Sequence, residues 1–133
     1  MAETRETYRT VTPYLVVADG DAELKFLREA FGGVEQVCHR TPEGAVMHAE
    51  VRVGDSLIML GQAGGTSKAL PAALYVWIED VDEVYGRALA AGAASQSAPK
   101  DMPYGHRHAG VVDGNGVTWW IGAPVKAGAA PAE

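Results

Sequence analysis

Hydrophobic and polar positions follow the same succession twice along this chain. In the first pass, Val11 to Val17 is β-branched and aromatic and predicts a strand. Asp19-Gly20-Asp21 then supplies turn and N-cap chemistry, Leu24, Leu27 and Phe31 recur at helical spacing, and Gly32-Gly33 stops the run, which predicts a helix over 20–31. Three strands are expected next, over 34–41, 45–53 and 56–61, parted by Pro42-Glu43-Gly44 and by Gly54-Asp55. In the second pass, Leu74 to Ile78 reads as a strand, Asp80 as the cap of a helix over 80–91 ended by Gly92, and 94–98, 105–112 and 117–121 as strands.

The two passes echo one another in detail. Val17-Ala18-Asp19 answers Ile78-Glu79-Asp80, and His48-Ala49-Glu50-Val51 answers His108-Ala109-Gly110-Val111. The expectation is therefore an α+β protein of two βαβββ units, residues 10–61 and 73–122, with Gln62 to Pro71 as linker and 123–133 as a disordered tail rich in Ala, Gly and Pro. A four-stranded unit with one helix leaves a sheet face uncovered. The units are thus expected to form one curved, mixed, eight-stranded sheet around a cavity, with the helices outside.

Composition narrows the picture. A length of 133 residues suits one domain, and 47% hydrophobic with 21% charged residues is ordinary for a globular protein. No apolar run reaches the ~20 residues of a membrane span and the N-terminus opens polar, so a cytoplasmic location is expected. The single Cys38 cannot form an internal disulfide. A formal charge of −6 without a basic stripe argues against nucleic acid and suits a neutral or cationic ligand better than an anion.

Hairpin geometry predicts which side chains share a face. With Gly54-Asp55 as a two-residue turn, Val53 pairs with Ser56, Arg52 with Leu57 and Glu50 with Met59; His48, Glu50, Arg52 and Met59 then line one face, and Ala49, Val51, Ile58 and Leu60 pack under the helix. With Asp113-Gly114-Asn115-Gly116 as a four-residue loop, Val112 pairs with Val117, Ala109 with Trp120 and Arg107 with Gly122. That register turns Arg107 and Trp120 inward and His106 and His108 away, unless a bulge flips the strand. His48 and Glu50 could act as general acid and base, or simply brace the sheet by a hydrogen bond. Trp77 and Trp119 are read as core, whereas Tyr104, in the loop after Pro103, offers a ring for stacking.

Pro13-Tyr14-Leu15-Val16-Val17, Phe31-Gly32, Met47-His48-Ala49-Glu50, Gly54 to Leu60 and Trp119-Trp120-Ile121 together resemble the glyoxalase/bleomycin-resistance/dioxygenase (vicinal oxygen chelate) superfamily, most of all its demethylubiquinone-methyltransferase-like branch. The resemblance covers residues 10–122 and implies a single domain of that kind. Its metal-dependent members place ligands on the first, fourth, fifth and eighth strands, which fall here on Thr12, Met59, Leu74 and Trp120. None is a good ligand for a catalytic divalent cation, so no metal and no cofactor are expected. The implied function is binding of a small aromatic or planar molecule by Thr12, Tyr14, His48, Glu50, Met59, Leu74, Tyr104, Arg107 and Trp120. The rival is a lyase or isomerase that uses His48 and Glu50, or a displaced metal set of His48, Glu50, His106 and His108. The resemblance also implies a homodimer.

Overall fold

The computed structural model describes residues 8–125. The chain divides into two compact units, one ending at Leu70 and the other beginning at Pro71. In the first, β1 (Tyr14–Val17), α1 (Gly20–Phe31), β2 (Val34–Arg40), β3 (Val46–Val53) and β4 (Ser56–Gln62) form a sheet of order β1-β4-β3-β2. In the second, β5 (Ala72–Trp77), α2 (Val81–Ala90), β6 (Ala94–Asp101), β7 (His106–Val112) and β8 (Val117–Pro124) form a sheet of order β5-β8-β7-β6. Each sheet has one parallel pair, β1 with β4 and β5 with β8. Both units are βαβββ, and the eight strands fall into two mixed sheets of four.

Local chemistry sets the ends of the elements. Asp19 caps α1, its carboxylate accepting from the Ala22 N–H at 3.0 Å, and Gly32 closes the helix in the left-handed region at φ 67. The second helix departs from the echo. Asp80 has no side-chain cap bond to the helix and itself stands at φ 58, the one non-glycine residue at positive φ among those described. The first strand begins three residues later than expected. Val11 is exposed and Pro13 has no N–H to give, although its carbonyl still accepts from the Met59 N–H at 3.0 Å.

Alternation divides each sheet into a helix-bearing face and an opposite face. Under α1 lie Leu15, Val17, Ala49, Val51, Ile58 and Leu60; under α2 lie Ala109, Val111, Trp119 and Ile121, all buried. Trp119 is fully buried, and its indole N–H donates to the Asp113 carboxylate at 2.8 Å. Each of the larger aliphatic side chains contributes on the order of 1.5–3 kcal/mol. The strand end at 123–124 corrects the expected tail. Ala123 is buried opposite Arg107, and Pro124 pairs with His106 because β7 extends far enough to offer both a partner. The remainder of the expected tail, 126–133, lies outside the described residues.

Candidate functional site

The face of the first sheet away from α1 follows from the β3–β4 register, which is the expected one: Val53 with Ser56, Arg52 with Leu57, Glu50 with Met59. Gly54 at φ 59 supplies the positive dihedral that so tight a turn demands. Glu50 is only 5% exposed, and its carboxylate accepts from the Tyr8 hydroxyl at 3.0 and 3.1 Å and meets His48 Nε2 at 2.8 Å. An ionised carboxylate only accepts, so Nε2 is assigned the proton and Nδ1 becomes the acceptor that His48 presents. The His48 ring stacks between Tyr14 and His39, with centroids 5.9 and 6.5 Å away. Nothing in the sequence marked Tyr8, which reaches Glu50 across 42 positions.

The corresponding face of the second sheet is covered by rings. Trp77 meets His106 edge-on at 4.8 Å, Tyr104 meets His106 at 5.3 Å, Tyr75 stacks near Trp77 at 6.5 Å, and His108 stacks on Trp120 at 5.6 Å with 23° between planes. Two glycines make this possible. A Cβ at Gly110 would run into the Trp120 ring and one at Gly122 into the Tyr75 hydroxyl, so both rings lie flat on bare backbone. Tyr75, Trp77 and Tyr104 are 49%, 57% and 61% exposed. Burial of its ring edge, then the field of Tyr104, raises the Tyr75 phenol above its ordinary pKa.

These faces belong to a recognisable lineage. The glyoxalase/bleomycin resistance protein/dioxygenase superfamily profile matches residues 9–121. The chain belongs to that superfamily. An uncharacterised protein of Mycobacterium bovis is 32% identical over 127 residues, covering 87% of this chain and 84% of that one, and a Mycobacterium tuberculosis protein matches at the same identity over 75% of its length. Among solved structures, TioX from Micromonospora sp. ML1 superposes with a TM-score of 0.74 at 24% identity, over 88% of this chain and 99% of that one. A glyoxalase-related enzyme from Fulvimarina pelagi gives 0.64 at 20% identity, over 94% and 97%. These two likenesses speak to the fold.

Two of the four superfamily positions land differently from expectation. Met59 and Trp120 lie on the faces away from the helices, as anticipated, while Thr12 is half-buried just ahead of β1. Leu74 does not line that face. The parallel β5–β8 register sets it opposite Trp119, under α2, and turns its neighbours Ala73 and Tyr75 outward. The β7–β8 hairpin is shifted by one residue from the expected pairing. Asp113 N–H donates to the Val117 carbonyl, so only Gly114, Asn115 and Gly116 form the loop, Gly116 takes φ 82, and Val112 pairs with Thr118. Gly110 then opposes Trp120 and Arg107 opposes Ala123. His106 and His108 therefore share the face of Trp120, and Arg107 goes to the helix side. There its guanidinium holds both Asp82 oxygens at 2.8 Å and Asp101 at 3.0 Å, bonds that raise its pKa further. Trp77, expected in the core, is exposed for the same reason as Tyr75: alternate β5 residues point away from α2.

Arg107 borders a different concavity, about 890 Å³, walled by Glu79, Asp80, Asp82, Glu83 and Asp101. Within each unit, among the described residues, no three His, Cys, Asp or Glu stand together as a metal site, so the displaced ligand set finds no support there. No described helix is long and apolar enough to cross a membrane.

Proposed function

We propose that this superfamily member binds a small planar organic molecule against the ring-covered face of its second unit, with no divalent metal at the family positions. The observation that carries the reading is the set of six rings, Tyr75, Trp77, Tyr104, His106, His108 and Trp120, on and beside one sheet face, with Tyr75, Trp77 and Tyr104 exposed and Trp120 half-buried. Flat π-surfaces supported by backbone lose little conformational entropy when a planar guest stacks on them. So much aromatic area facing solvent in a small domain points to an occupant. The donor set does not fit the family metal. Met59 offers a thioether, Trp120 an indole, Leu74 and its neighbour Ala73, matched to Thr12 by register, only alkyl groups, and Thr12 a single neutral hydroxyl; hard cations prefer several oxygens or imidazoles.

Native mass spectrometry of freshly purified protein tests this reading, with an organic adduct expected in the wild type and lost in Trp120→Ala. An adduct indifferent to that change, or a stoichiometric metal bound through Met59, would sink it.

One observation favours a second reading, in which His48 acts as a base. Tyr8 fixes Glu50, Glu50 fixes His48 Nε2, and Nδ1 stands ready to take a proton. If this couple is catalytic, the wild type converts the molecule that Glu50→Gln retains unchanged. Identical NMR spectra of the molecules released from the two proteins would remove it, a comparison that also detects an isomerisation, which leaves mass unchanged.

A further inference from the structure

The ring-covered face also has a sign. Strands β5 to β8 contain a single carboxylate, Asp101, and it is paired with Arg107 on the helix-bearing face. Of the strand residues that can carry a positive charge, Lys100 lies opposite His108, and His106 and His108 stand among the rings. Histidine is neutral or cationic and lysine cationic at neutral pH, and the two tyrosines are uncharged there. Glu79, Asp80, Asp82, Glu83 and Asp101 gather instead at the cavity beside the start of α2, and Asp113 is buried against Trp119. A protein of net charge −6 thus presents an aromatic surface with no anion of its own strands on it.

We infer that the ligand of this face is a planar aromatic anion, an aryl carboxylate being the simplest form, with its ring on Trp120 and its charge toward Lys100 and His108. This rests on the stacking reading above and departs from the expectation, drawn from whole-chain charge, that a neutral or cationic guest would fit better. Local charge decides because exposed charges separated by more than a Debye length of ~8 Å are largely screened at physiological salt.

Three indole N–H signals serve as located reporters, with Trp119, buried and bonded to Asp113, as the internal control. The full-length protein is titrated with naphthoate, naphthamide and naphthylmethylammonium, three probes of one ring system and different charge. Naphthoate is expected to shift the Trp120 and Trp77 signals while leaving Trp119 still, and to bind more tightly than the amide, with the ammonium probe weakest. Lys100→Gln, an exposed strand position, is expected to weaken naphthoate about two- to fivefold, the size of a solvent-exposed charge contact, and to leave naphthamide unchanged. Equal binding of the three probes, or preference for the ammonium, overturns the anionic assignment while the stacking reading stands. Failure of every probe to move Trp120 overturns both. If the Trp120 signal moves with protein concentration and with no probe, a second copy covers the face and the inference is lost.

Discussion

The two units place different chemistry on one framework. Their registers make Tyr14 equivalent to Tyr75, Met59 to Trp120, Gly61 to Gly122, His48 to His108 and Glu50 to Gly110. Each tyrosine lies over its glycine, and the strand pairs carrying them match residue for residue. The divergence is at one cross-strand pair. Where the first unit has Glu50 beside Met59, a carboxylate holds the histidine by a hydrogen bond; where the second has Gly110 beside Trp120, an indole fills the space and the histidine stacks on it. A histidine in the same place thus becomes an oriented polar group in one unit and part of a stacking surface in the other.

The largest effect expected from probing this comparison separates the two faces of β8. Trp119→Ala should cost about 3–5 kcal/mol of stability, since it empties a fully buried site and strips Asp113 of a hydrogen bond. Trp120→Ala should cost less, about 1–3 kcal/mol, the worth of a half-buried ring and its stacking contact. Denaturant unfolding of both variants measures the difference. Equal costs would mean that Trp120 is core, and the stacking face would lose its centre.

How legible this was in the sequence depended on the turn. The β3–β4 register could be counted outward from Gly54-Asp55 because a two-residue loop leaves one pairing, and the wall of His48, Glu50 and Met59 followed correctly. At 113–116 the same count failed. Asp113 folds its carboxylate back onto the N–H groups of Asn115 and Val117, shortening the loop to three residues and exchanging the faces of Arg107 and His108. The echo between His48-Ala49-Glu50 and His108-Ala109-Gly110 already held the right answer, because equivalent residues of a repeated unit share a face. Tyr8 was illegible for a different reason: a contact across 42 positions follows from tertiary placement, and no local period reports it. Helix α2 showed the limit of the echo itself, with Asp80 aligned to a true cap yet held at φ 58.

Exchanging the divergent pair is the next test in size. Glu50→Gln should destabilise the protein by about 1.5–3 kcal/mol, because a nearly buried carboxylate that receives Tyr8 and His48 loses its charge-assisted bonds. Gly110→Ala should cost about 1–3 kcal/mol for a different cause, the new Cβ pushing the Trp120 ring off the strand. Only the second should change the Trp120 indole signal. A spectrum unchanged by Gly110→Ala would show that the ring does not need the glycine.

The smallest effect concerns the ion pairs, where the units also differ. Arg107 is held by two carboxylates with its side chain about one-third exposed, whereas Arg40 reaches a single one, Asp21 on α1, from a strand end open to solvent. The hydrogen bonds from Arg40 hold the Asp21 carboxyl below the ordinary aspartate range; desolvation opposes them, and the charge of Arg40 adds a lesser pull in the same direction as its bonds. A folded-state pKa below the unfolded one contributes stability above the unfolded value and loses it as pH falls through the folded one. The difference between wild type and Asp21→Asn should therefore be small near neutrality, begin to shrink below about pH 4, the unfolded value, and vanish once the pH falls under the lowered folded-state value. Asp82→Asn should cost more than Asp21→Asn at pH 7, because both changes weaken a two-bond pair but the Arg107 guanidinium is less exposed than that of Arg40. Thermal unfolding of the three proteins at acid and neutral pH reads both differences. An Asp21→Asn effect that persists undiminished in acid would show that it does not arise from the ionised carboxylate, and the contrast between the two ion pairs would have to be dropped.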